Sequence, residues 1–160
     1  MLEIITRTPI WVFVLFFVLI IIGLLQLKDR NISLQRVTIL PVMMVFLSFY
    51  GVISVFGLNI KTSLLWLIGL IIATLLNLSL NLPRNSIYDK ELKTFFIKGS
   101  SIPFILIMII FFIKYFVGVI VSRQLPILNE IYFIYGISFI YGILSGFFLG
   151  RIFVLLKLRK

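Results

Sequence analysis

Apolar residues fall into five long runs separated by short stretches rich in Lys, Arg, Asn and Ser. A helix rising 1.5 Å per residue needs about 20 residues to cross the hydrocarbon core of a bilayer. On that measure the runs predict five membrane-spanning helices, at 8–27, 37–58, 62–80, 102–121 and 131–156. Each run is apolar throughout, without the in/out alternation of a barrel strand, so helices are expected. Thr8 is placed to cap the first span, with Pro9 at its first helical position. Pro103, after Ser100-Ser101, suits the first turn of the fourth. The first run lacks a small-residue cleavage site and is followed by a second span, so it reads as a helix of the protein rather than a removed leader. The fold expected is all-α, a single transmembrane domain over residues 1–160. The cytoplasmic loop 81–101 alone is long enough for further structure. Ile87-Tyr88 and Phe95-Phe96-Ile97 flank a polar turn there, which fits a short hairpin on the membrane surface. An ordinary amphipathic loop fits equally well.

Composition sharpens this picture. The 160 residues are 62% hydrophobic and 12% charged, with a mean hydropathy of +1.24, against roughly 45–50% apolar and about 25% charged in soluble domains. A soluble fold of this size has too little interior to hide that surface, so most of it must face lipid. There is no Cys, no His and only five Asp and Glu. Thiolate chemistry, haem ligation and most metal and acid–base chemistry are thereby excluded. No catalytic residues, metal ligands or cofactors are expected, and the chain reads as a non-enzyme.

The net charge of +10 raises nucleic acid as a partner, but the basic residues lie between apolar runs rather than on one soluble face. They act instead as topology signals and contacts to anionic lipid headgroups. Eleven lie in the first loop (Lys28, Arg30, Arg36), the third loop (Arg84, Lys90, Lys93, Lys98) and the C-terminal region (Arg151, Lys157, Arg159, Lys160). Three, Arg7, Lys61 and Arg123, lie on the other side. The positive-inside rule then puts the N-terminus outside and the C-terminus in the cytoplasm. Trp11 and Trp66, near the outer ends of their spans, fit interfacial positions.

An internal echo links the second and fifth spans. Ser48-Phe49-Tyr50-Gly51-Val52-Ile53-Ser54 and Ser138-Phe139-Ile140-Tyr141-Gly142-Ile143-Leu144-Ser145 share Tyr-Gly-aliphatic-aliphatic-Ser. Each follows a proline-started span with one late glycine. One reading is an inverted repeat of spans one–two and four–five, an arrangement that places a site at the midplane of many transporters. The other is coincidence in a chain built mainly from Ile, Leu, Phe, Gly and Ser.

Lys114 is the foremost candidate for function. It lies roughly 18 Å along the fourth span, where a charge costs at least ~2.5 kcal/mol and marks a bundle interior or wet cavity more often than lipid. Helical side chains lean toward the N-terminus, which carries this ammonium deeper rather than outward. Tyr50, Tyr141, Ser54 and Ser145 offer hydroxyls to a ligand beside it. Arg151 is either a headgroup anchor or a second cation for an anion. Ser138, Gly142, Gly146 and Gly150 recur every four residues, a small-residue stripe for close helix packing.

Several segments carry a family resemblance. Thr8-Pro9-Ile10-Trp11-Val12, Ser33-Leu34-Gln35-Arg36-Val37 and Leu47-Ser48-Phe49-Tyr50-Gly51 continuing to Gly57 resemble a family of small bacterial membrane proteins of uncharacterised function. Lys114-Tyr115 and Tyr141-Gly142-Ile143-Leu144-Ser145-Gly146 continuing to Arg151 fit the same pattern, so the likeness covers nearly the whole chain. It implies a bacterial inner-membrane location and no particular activity. Two functions remain in view. One is binding or transport of a small anion or anionic amphiphile around Lys114. The other is a non-transporting accessory or assembly subunit that docks partner helices through the glycine stripe. Five helices make a thin pathway for one chain, which favours a homodimer or a membrane partner protein.

Overall fold

The computed structural model describes residues 8–83, 86–90 and 92–158. Five helices carry most of the chain: α1 (Ile10–Leu25), α2 (Leu34–Phe56), α3 (Ile60–Leu80), α4 (Ile102–Ser122) and α5 (Ile131–Lys157). Strands β1 (Arg30–Ser33), β2 (Ile87–Asp89) and β3 (Thr94–Ile97) and a 3-10 turn (Pro126–Asn129) complete it. Helices α2 to α5 are long and apolar enough to cross a membrane, as expected of a membrane protein. The 16 residues of α1 span only about 24 Å. Of the five expected spans, four are helices of crossing length and the first is a shorter apolar helix. The cause lies at its ends: Pro9 occupies the N-cap position, and the chain turns after Leu25 at Gln26.

The all-α expectation is also corrected. The hairpin reading of 87–97 holds, with β2 antiparallel to β3. The first loop adds β1 on the other edge of β3, giving a three-stranded sheet of order β1-β3-β2. That extra strand moves the start of the second helix back to Leu34, immediately after Ser33.

Two compact units make up the chain. The first comprises Met1–Asp29 and Gly99–Leu125. Within it α1 and α4 run antiparallel. The Thr8 and Tyr115 hydroxyls hydrogen-bond at 2.8 Å, the Phe16 and Phe111 rings pack at 5.0 Å, and Gly23 faces the Phe104 ring so closely that a Cβ would strike it. Thr8 thus joins two helices, and the N-cap position of α1 falls to Pro9. At the other end the Gly99 amide donates to Asp29 Oδ1 (2.7 Å) and the Ser100 amide to the Gln26 carbonyl (3.1 Å). Gly99 lies against the Leu27 carbonyl with no room for a side chain.

The second unit comprises Arg30–Lys98 and Pro126–Lys160. Here α3 and α5 lie parallel in close contact, and α2 packs antiparallel on α5 through Ser48 beside Tyr141 and Phe56 beside Phe133. Helix α2 contains Pro41 and ends at Gly57 in a left-handed conformation (φ 72°) that glycine adopts without strain. Asn81 ends α3 in the left-handed helical conformation (φ 49°, ψ 50°), distinct from the extended ψ of Gly57. The sheet covers the end of this unit where α2 begins and α5 finishes. Its inner face puts Phe95 and Ile97 against Val37 and Leu155, with Ile32, Leu34 and Tyr88 around them.

Candidate functional site

The glycine stripe of α5 meets α3 of the same chain. A Cβ at Gly142 would fall on the Trp66 carbonyl, at Gly146 on the Leu70 carbonyl and Ala73, and at Gly150 on Asn77. In return, Gly69 of α3 lies against the Phe139 carbonyl. Without a hydrophobic force to join helices inside lipid, such close backbone approach is how they gain dispersion energy. Polar bonds cross the same seam. Thr74 Oγ1 is shared between the carbonyls of Leu70 (2.7 Å) and Gly146 (3.2 Å), and Asn77 Nδ2 donates to Phe147 O (3.4 Å). The stripe is therefore occupied within the chain and leaves no free groove along Gly142, Gly146 and Gly150 for a partner helix.

Ser48 ties α2 into this seam. Its hydroxyl donates to the Tyr141 carbonyl (2.9 Å) and accepts from the Trp66 indole N–H (3.1 Å), whose ring also packs on Phe49 at 4.8 Å. Trp66 is consequently buried among three helices, and its part is packing rather than interfacial anchoring.

The predicted site residues divide between the units. Lys114 belongs to the first, midway along α4, next to the Tyr115 that bonds Thr8. Its side chain is exposed on that helix pair. Tyr50, Ser54, Tyr141, Ser145 and Arg151 belong to the second unit. The two copies of the echoed motif have different surroundings. Tyr50 is 68% exposed and Tyr141 only 4%. Ser54 is exposed and bonds the Gly51 carbonyl of its own helix (3.1 Å). Ser145 is buried and donates to the Tyr141 carbonyl (2.9 Å). Helix α3 covers α5 and leaves the matching face of α2 open, so Tyr50 and Tyr141 do not form an equivalent pair. Ser138 likewise donates to its own helix, at Ile134 O (2.7 Å).

Arg151 is half-buried near the end of α5, and among the described residues the charge that bears on it is a second cation, Arg30 of β1. Burial holds the Arg30 guanidinium below its ordinary pKa, because charge is disfavoured away from water. Arg30 was legible in the sequence only as one of the basic loop residues. What would have singled it out is the alternation of Arg30-Asn31-Ile32, which puts Arg30 on the Ile32 face once β1 is recognised as a strand. Among the described residues no cluster of His, Cys, Asp and Glu able to hold a metal occurs.

No curated protein matches this chain. No solved structure matches it either. Its full length, residues 1–160, matches the model of a family of unknown function, DUF6622, and the protein belongs to that family.

Proposed function

We propose that this is a bacterial inner-membrane protein of five crossings, N-terminus outside and C-terminus cytoplasmic, that binds or transports a small anion or anionic amphiphile. Lys114 supplies the neutralising charge. The observation that carries the reading is the position of this lysine, midway along an apolar helix of crossing length. A cation held at that depth is favourable chiefly where a ligand, water or hydrogen-bond acceptors meet it. None of the five helices contains Asp or Glu, so the intramembrane charge of the protein is positive and selects anions.

A fifth crossing by α1 follows from its partner. Contacts from Thr8–Tyr115 to Gly23–Phe104 keep it beside α4 from Phe104 to Tyr115, which supports a crossing alongside that helix. Membrane location, orientation and transport rest on this geometry together with the distribution of basic residues.

The test is reconstitution of the full chain in proteoliposomes with two probes, chloride flux and binding of a fluorescent fatty acid. Lys114→Met is expected to reduce the active probe's signal at least about tenfold, the scale of a lost hydrogen bond to a charged group, with the helical circular dichroism unchanged. Wild-type signals in the folded Lys114→Met protein would reject the reading.

A further inference from the structure

We propose that Arg30 and Arg151 form a binding site for a phosphate group at the sheet-covered end of α5, separate from Lys114 and independent of its role. Strand geometry brings the two together. Arg30 pairs directly across from Ile97, and Ile32 from Phe95. Cross-strand partners share a face, so Arg30 and Ile32 project on the side where Phe95 and Ile97 are buried. Asn31 takes the opposite, exposed side. Ile97 packs in one cluster with Leu155 of α5. Arg151, one helical turn before Leu155, lies on nearly the same face of α5. The Arg30 strand and the Arg151 turn thus converge on one apolar cluster, and the Arg30 charge bears on Arg151.

Like charges pressed together against apolar side chains are unfavourable, and an anion between them reverses the sign of the interaction. Guanidinium forks match the oxygens of a phosphate mono- or diester in bidentate fashion, so two of them around one phosphate make a specific rather than diffuse contact. The ligand is a phosphate group, from either an anionic phospholipid or free orthophosphate.

Thermal unfolding of the full chain separates these sources. The protein is compared in nanodiscs of phosphatidylcholine, in the same discs with phosphatidylglycerol, and in phosphatidylcholine discs titrated with orthophosphate. Stabilisation by phosphatidylglycerol alone identifies a lipid site, and stabilisation by orthophosphate identifies a free-anion site. In either case Arg151→Gln and Arg30→Gln are expected to weaken the half-saturating concentration about tenfold, the scale of a lost charge-assisted bond. Lys157→Gln, which removes the same charge from the end of the same helix, retains the wild-type value. If Arg151→Gln does not fold, Arg30→Gln decides the matter, because β1 pairs through its backbone whatever its side chain. Absence of stabilisation by both ligands, or an equal loss in Lys157→Gln, overturns the site. Neither result bears on Lys114, whose probes and variant are different.

Discussion

Gly142 and Gly146 are glycines for a reason visible in their neighbours: carbonyls of Trp66 and Leu70 occupy the space that a Cβ would need. Gly136, on the same helix, has open space around it. Gly142→Ala is therefore expected to destabilise the protein by about 1–3 kcal/mol through overpacking, and Gly136→Ala to leave unfolding in detergent close to wild type. Equal effects at both positions would mean that helix propensity, rather than the α3–α5 seam, controls the outcome. Ser48 makes a second test. Ser48→Ala leaves the buried Trp66 N–H without its acceptor, at an expected cost of about 1–3 kcal/mol. Ser48→Thr keeps the hydroxyl and should recover much of the loss. The four-residue spacing of the stripe was legible in the sequence, because helical periodicity alone places those positions in line. Its partner was not legible, since several helices carry small residues.

At the level of elements, the sheet depends on alternation. Phe95 is fully buried, while its neighbour Phe96 points to the open side. Phe95→Ala should cost about 3–5 kcal/mol locally, read as faster amide exchange in β1 and β3. Phe96→Ala should leave that exchange nearly unchanged. Matching rates in the two variants would argue against the strand register. The hairpin was readable from two apolar segments around a polar turn. Strand β1 was not: Arg30-Asn31-Ile32-Ser33 has one apolar residue, and only an available β3 edge turns it into a strand. With β1 missed, Arg30 looked like a topology charge instead of a strand residue facing Ile97.

For the whole molecule, orientation is the decisive prediction. The chain has no cysteine, so single-cysteine variants report without background labelling. A membrane-impermeant maleimide is expected to label Lys61→Cys and Arg123→Cys in intact cells. Lys90→Cys and Lys93→Cys should react only after permeabilisation. Labelling of all four from outside would reject the five-crossing arrangement and with it the depth assigned to Lys114. Both the long helices and the short α1 contribute exposed Ile, Leu, Phe and Val faces, a surface compatible with a lipid environment.

The sequence by itself determined that the chain is built mainly of apolar helices, roughly where each begins and ends, and that one of them carries a lysine midway along. Those features follow from local chemistry: backbone groups in lipid must bond within the helix, and ionised groups resist leaving water. The tertiary structure alone decided that α1 pairs with α4, that the α5 stripe is filled by α3, and that β1 joins the sheet that packs on the end of α5. It also separated Tyr50 from Tyr141, despite their shared motif. Such choices depend on which surfaces fit when distant segments meet, and hydrophobicity is nearly uniform along these helices. The pattern along the chain therefore carries little information about partners, and close packing supplies it.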